Sequence, residues 1–300
     1  VALLFVMRLI GMVLSALVFG WLLRDFHPIR LIRVVQSAAV VTLLLNVISL
    51  WKQEPRDLAR PSEAYQRSSF RDAFGQLKAD PRATRMLIAL GLGTAGFTMQ
   101  DILLEPFGAQ ILGLSVSSTT GLTALLAGGM PVAFALSARR LSRGMDPHRL
   151  AAYGALVGVF AFATISLTGA FKIVPLFAFG VFLIGIGGGL FAVGTLTAAM
   201  ALARDANSGL ALGAWGAVQA TATGLAMAGG GALRDIVSQF ATNGSLGLAL
   251  TGPAVGYAFV YNLEVVFLFV TLVVIGPLAT FSRRNDEDDK NRFGLAEFPS

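Results

Sequence analysis

The sequence predicts an all-α polytopic membrane protein, a helical bundle with about eight transmembrane helices, on three observations. Of 300 residues, 55% are hydrophobic and 13% charged, with a mean hydropathy of +0.71, whereas ordinary globular domains carry roughly 25% charged residues. Apolar runs of the ~20 residues that a spanning helix needs recur along the whole chain. Lys and Arg gather in alternate connections between those runs. There is no cysteine, which excludes disulfides, thiolate metal sites and cysteine nucleophiles. Nor is there a Walker loop, a histidine pair at metal spacing or a nucleophile elbow, so no catalytic or metal-ligating residue is assigned and the chain does not read as an enzyme.

The chain opens at Val1 inside an apolar run, without a basic leader and cleavage site, and so reads as a piece of a longer protein. Residues 1–23 and 31–51 form the first two apolar segments, with Trp21 and Trp51 as interfacial anchors. The connection "KQEPRDLARPSEAYQRSSFRDAFGQLKADPRATR", residues 52–85, contains Pro55, Pro61 and Pro81 and reads as a basic linker. Within it, Ser69 followed by Asp72 resembles a helix N-cap box, with Phe70, Phe74 and Leu77 on one face. That stretch is either a short helix on the anionic inner leaflet or a solvated linker. Six further segments follow at 86–112, 118–138, 150–170, 173–200, 209–231 and 255–281. Gly185, Gly187, Gly188 and Gly189 mark a flexible or closely packed crossing, without the strand context of a nucleotide loop. The tail "RRNDEDDKNRFGLAEFPS" is too polar to pack and reads as disordered.

Charge sets the orientation. If 52–85 is cytoplasmic, alternation puts 139–149, 201–208 and 282–300 on the same side. Those four segments hold 17 Lys and Arg against 5 in the opposite connections. Both ends of the chain are then cytoplasmic. The net charge of +6 follows from this bias, so it implies contact with membrane lipid and not with nucleic acid.

The unusual stretch is "MQDILLEPFGAQ", residues 99–110, which places Asp101 and Glu105 one helical turn apart inside an apolar run. Counting from Met86 at 1.5 Å per residue, they lie about 22 and 28 Å along the helix, toward the outer side of the bilayer. Pro106 removes a backbone donor, so the helix is expected to kink or loosen at Glu105. Asp101 and Glu105, with Gln100 and Gln110, would then surround a polar pocket. Glu264, in the last segment near Asn262, is a second intramembrane acid. Intramembrane acids mark functional sites unless they are simply paired, and Arg8 and Arg234 are the available partners for Asp101.

A basic linker followed by six helices with short loops resembles the way major facilitator proteins join their two six-helix halves. That architecture makes 1–51 the last two helices of the N-terminal half and 86–281 the six-helix C-terminal half. "ARRLSRGMDPHRL" at 138–150 is a degenerate match to the basic loop of such transporters. More specifically, "FTMQDILLEPFGAQILGLS" at 97–115 and "SGLALGAWGAVQATATGLAMAGGGALRD" at 208–235 resemble the PucC and LhaA family, the bacteriochlorophyll delivery family of the major facilitator superfamily. "FSRRND" and the segment 25–56 extend that resemblance over essentially the whole chain.

The resemblance implies a protein of the bacterial inner membrane or intracytoplasmic photosynthetic membrane. Its role would be assembly of a light-harvesting complex, by delivering or holding bacteriochlorophyll while antenna polypeptides insert. Bacteriochlorophyll would be a transient ligand and not a permanent cofactor, and antenna polypeptides and a chlorophyll synthase would be partners. For the 99–110 pocket this leaves several roles open. Its oxygens could ligate a chlorophyll magnesium, dock an antenna subunit, or serve a symport. Trp215 and Gln219, one turn apart on a helix with Gly209, Gly213, Gly216 and Gly224, either support a flat macrocycle or pack tightly as small-xxx-small helices do. His27 and His148 both fall in loops, so an imidazole ligand for a bound pigment is not expected within a helix. The competing function is a proton-coupled small-solute transporter of the same fold, with Asp101 and Glu264 as its relay.

Overall fold

A computed structural model of the chain describes residues 28–50, 79–202, 208–247 and 250–292, with isolated positions 18, 22 and 75. The expectations placed on Arg8, Trp21, His27, Trp51 and the linker helix around Ser69, Phe70, Asp72, Phe74 and Leu77 lie outside the described residues. Every described element is helical: α1 (Pro28–Leu50), α2 (Pro81–Thr98), a 3-10 turn (Met99–Ile102), α3 (Leu104–Gln110), α4 (Val116–Leu141), α5 (Pro147–Phe171), α6 (Val174–Leu202), α7 (Ser208–Thr242) and α8 (Ala254–Arg292). The chain divides into two compact units, Val1–Arg67 and Ser68–Ser300.

In the first unit, α1 exposes Ile32, Val35, Leu43 and Ile48 around its circumference, as a helix built for an apolar solvent does. In the second, two helices begin where an Asp precedes a Pro. Asp80 accepts from Arg82 N–H at 2.9 Å, and Asp146 accepts from His148 N–H at 2.6 Å, with Pro81 and Pro147 filling first-turn positions that need no donor. Asp146, the acidic residue of the loop at 138–150, is thus a helix cap, and Gly144 in the same loop holds φ +80°.

Six of the described helical segments are long and apolar enough to cross a membrane: Ile32–Ser49, Pro81–Gln110, Gly121–Leu141, Pro147–Gly169, Val174–Leu202 and Ala254–Ala279. The expected count of eight is not reached. Residues 1–23 lie almost wholly outside the described set, and α7 is 35 residues long but too rich in Gly, Ala and Thr to join the six on apolarity. Two helices overrun their apolar runs. α7 continues past Arg234 and Asp235 to Thr242, and α8 continues through the polar "RRNDEDDKNR" to Arg292, because charged side chains end an apolar run without breaking backbone hydrogen bonding. The first part of the tail expected to be disordered is therefore helical.

Helices in lipid gain little from the hydrophobic effect and associate through close packing of small residues. α6 does so against two neighbours. A Cβ at Gly185 would collide with the Leu126 carbonyl of α4, and one at Gly194 with the Ala151 backbone of α5; from the α5 side, Gly154 meets Phe191 and Gly187. The glycine cluster is thus a closely packed crossing. On α7 a Cβ at Gly213, Gly216 or Gly224 would meet nothing within 4 Å among the described residues. The close approach of α7 that the structure shows is at Gly230, where a Cβ would lie 3.0 Å from the Met99 carbonyl oxygen.

Candidate functional site

Pro106 decides where the α2–α3 span breaks. Its ring collides with the carbonyl four residues back in a continuing helix, so an interior proline kinks or breaks the helix; α4 and α8 continue through Pro131 and Pro277, whereas here the chain restarts. α3 accordingly restarts at Leu104 with Pro106 as its third residue, and the chain ahead of it winds as the 3-10 turn Met99–Ile102, flanked by Thr98 (φ −111°) and Leu103 (φ −104°). The break lies at 98–103 and not at Glu105, in the turn N-terminal to Pro106 where the ring clash and the missing donor act. Gln100 and Asp101 sit on that turn.

The break frees backbone donors, and one finds a side chain far along the chain. Gln100 N–H donates to Glu264 Oε1 at 2.6 Å, across 164 residues of sequence. Both residues are buried: Gln100 is 1% exposed and Glu264 is 0% exposed. The Gln100 side-chain amide donates to the Phe97 carbonyl at 3.2 Å and to Asp101 Oδ1. Around this contact, Gln100 Oε1, Glu264 Oε2 and the Tyr261 hydroxyl are buried without a partner. Gln100, Asp101 and Glu264 thus form one cluster.

The rest of the motif ties α3 to other helices. Thr123 Oγ1 on α4 donates to Glu105 Oε1 at 2.7 Å. Gln110 Oε1 accepts from Arg234 Nη2 at 2.7 Å and from the Tyr257 hydroxyl at 2.9 Å. Arg234, offered above as a partner for Asp101, is instead engaged by Asp235, Gln110 and Tyr257, with its guanidinium 4.4 Å from the Tyr257 ring centroid. Beneath this polar end, the Phe107 ring packs edge-on against Tyr257 and Tyr261, each at 5.4 Å, and tilted against Phe177 at 5.1 Å. Sequence reasoning passed over Tyr257 and Tyr261. Their spacing with Glu264, four residues and then three, places all three on one helical face and was the available signal.

A cavity with about 180 Å³ of room opens beside the break, lined among others by Gln100, Asp101, Gln219, Thr94, Thr195 and Phe191. Gln219 of α7 therefore faces the same space as Gln100, whereas Trp215 does not line it. Trp215 is half-buried against Met86, Ala198, Ala199 and Leu278, and its indole N–H is buried without a partner. Asn262 is exposed and returns its amide to the Ala258 carbonyl at 2.7 Å. No group of three or more His, Cys, Asp or Glu side chains arranged to hold a metal occurs among the described residues.

An apolar cavity bounded by a helix break and containing a few polar groups is an arrangement suited to an amphipathic ligand, and comparison with known proteins narrows its setting. The PUCC protein family matches residues 1–282. The "uncharacterized protein in puhA-bchM intergenic region" of Rhodobacter capsulatus is 51% identical over 304 residues, covering 100% of this chain and 64% of that protein. "Protein PucC" of Rhodovulum sulfidophilum is 51% identical over 240 residues, 79% of this chain and 53% of its own length. A more distant relative, the "bacteriochlorophyll synthase 44.5 kDa chain" of Rhodobacter capsulatus, is 25% identical over 242 residues, 78% of this chain and 55% of that protein. The chain thus spans between about half and two thirds of the length of these relatives. No solved structure matches it. With the family matched over nearly its whole length and half of its residues shared with named relatives, the chain belongs to the PucC family.

Proposed function

We propose that this protein is a multi-pass membrane assembly factor for a bacterial light-harvesting complex, and that it holds or delivers bacteriochlorophyll while antenna polypeptides insert. Family membership supports the photosynthetic setting. The single observation that supports a ligand at the break is the side-chain oxygen of Gln100, buried, unpartnered and belonging to a residue that lines the cavity. A free carbonyl oxygen there can accept a hydrogen bond or approach a magnesium ion, which favours oxygen ligands. Phe97 and Phe191, 5.7 Å apart and both lining the cavity, offer apolar surface beside it. The room of about 180 Å³ is below the roughly 300 to 1,000 Å³ of pockets that enclose drug-sized ligands, so it suits the edge or tail of a pigment and not a whole one.

Purifying the full-length protein from its phototrophic host tests the reading. Near-infrared absorbance and antenna polypeptides should accompany it. In Asp101→Asn, the amide keeps an oxygen for the Gln100 donor, so membrane abundance should hold while co-purifying pigment and antenna yield fall several-fold. Full antenna yield at normal abundance would make Asp101 a structural residue. Burial of Glu264 keeps a proton-coupled carrier of the same fold as the second reading, and preparations free of pigment and antenna polypeptides would favour it.

A further inference from the structure

Glu264 lies in the apolar part of α8 with none of its surface exposed. One carboxyl oxygen accepts the Gln100 N–H and the other has no partner, while the Gln100 side-chain oxygen has none either. If the carboxyl is ionised, both orphan atoms are acceptors and neither can satisfy the other. The surrounding charges do not help. The 3-10 turn contributes Asp101, of the same sign. α7 contributes Arg234, whose terminal nitrogens are engaged by Asp235, Gln110 and Tyr257. α8 itself contributes Tyr257 and Tyr261. Between Arg85 and Asp101 the α2 span has no ionisable side chain, and α5 has none after Tyr153. Arg85 donates to the Val274 carbonyl, in the turn ahead of Pro277. No described basic side chain pairs with Glu264, and an uncompensated buried carboxylate is strongly disfavoured.

We propose that Glu264 is a proton-binding site whose proton, carried on Oε2, is donated to the side-chain oxygen of Gln100. A single proton taken from water then cancels the charge and satisfies both orphan atoms. The carboxylic acid clips the 3-10 turn to α8 twice, accepting from the backbone of Gln100 and donating to its side chain. Losing the proton leaves two unsatisfied acceptors and an unpaired negative charge near Asp101, which weakens the clip. Because Gln100 and Asp101 line the cavity, occupancy of the proton site and the position of the cavity wall are linked through one residue. The proton uses one of the two lone pairs of the Gln100 oxygen on which the pigment reading rests, so the two readings share that atom; the infrared band reports the proton, co-purifying pigment reports the ligand, and either can fail alone.

Infrared difference spectroscopy of the full chain in lipid tests it. The expected spectrum at neutral pH contains the carbonyl stretch of a neutral carboxyl group that is absent in Glu264→Gln. The same band should move to higher frequency in Gln100→Leu, which removes the acceptor, and should not respond to exchange of potassium for sodium. Glu264→Gln reproduces the geometry of the acid, an oxygen toward the Gln100 N–H and an amide toward its side chain, so its thermal midpoint should match the parent. If no neutral carboxyl band is lost in Glu264→Gln, the proposal fails. It fails also if sodium abolishes the band, because a metal cation would then occupy the site. Should Glu264→Gln not accumulate, carboxyl-labelled glutamate decides through Gln100→Leu, and an unmoved neutral band overturns the proposal.

Discussion

Gln100 does three jobs with one side chain and one backbone amide, and each depends on its lying in a 3-10 turn instead of a helix. Its N–H reaches Glu264, its amide nitrogen reaches Phe97 and Asp101, and its oxygen is left without a partner beside the cavity. Trp215 is the contrasting residue. Its indole N–H has no partner, so Trp215→Phe deletes an unsatisfied donor while keeping most of the apolar contact. Thermal unfolding in detergent should show a change within about 1 kcal/mol. Trp215→Ala should cost up to ~3 kcal/mol, the low end of aromatic truncations, because the residue is only half-buried. Pigment and antenna yield should follow protein abundance in both variants. A loss of pigment in Trp215→Phe at full abundance would instead place the ring at the ligand.

Two glycine-rich helices in this chain use glycine differently. Along α6, glycine lets three helix backbones approach, and a side chain at Gly185 would strike the Leu126 carbonyl. Gly185→Ala should therefore lower stability by ~1 to 3 kcal/mol, as overpacking does. Along α7, Gly216 has open space where its side chain would be. There Gly216→Ala should be neutral, or stabilising by up to ~1 kcal/mol through helix propensity. Denaturation of the two variants in the same detergent gives the comparison, and equal destabilisation would mean that α7 is covered at Gly216 in the working protein. The α2–α3 span combines both principles. Pro106 forces a restart, and Glu264, Thr123, Arg234 and Tyr257 bond to the residues that the restart exposes.

At the scale of the whole chain, the distribution of Lys and Arg predicts an orientation, and the absence of cysteine from these 300 residues lets a single introduced cysteine report on it. Ser142, between α4 and α5, and Ser245, between α7 and α8, are both exposed and fall on opposite sides under the positive-inside rule. Ser142→Cys should react with a membrane-impermeant maleimide only in inside-out vesicles, and Ser245→Cys only in intact cells. The reverse pattern would invert the topology and move the break at 98–103 toward the cytoplasm.

Composition and periodicity alone determined that the chain is a bundle of apolar helices, and Pro106 marked one interruption, whereas the helix starts at Pro81 and Pro147, ahead of the apolar runs at 86 and 150, came with the structure. The intramembrane acids stood out because a charge in an apolar run has no bland solvent to face. What tertiary structure alone decided was partnership. Glu264 and Gln100 are 164 residues apart, and Arg234 bonds to Gln110 and Tyr257 where sequence offered it to Asp101. In a soluble helix an apolar stripe reveals the packed face, but in a membrane the lipid-facing and core-facing sides are both apolar. The sequence therefore shows that Gly185 and Gly216 lack side chains without showing which one has a neighbouring backbone against it. Only the fold, by bringing α4 against α6 and leaving Gly216 of α7 uncovered, separates close contact from open space.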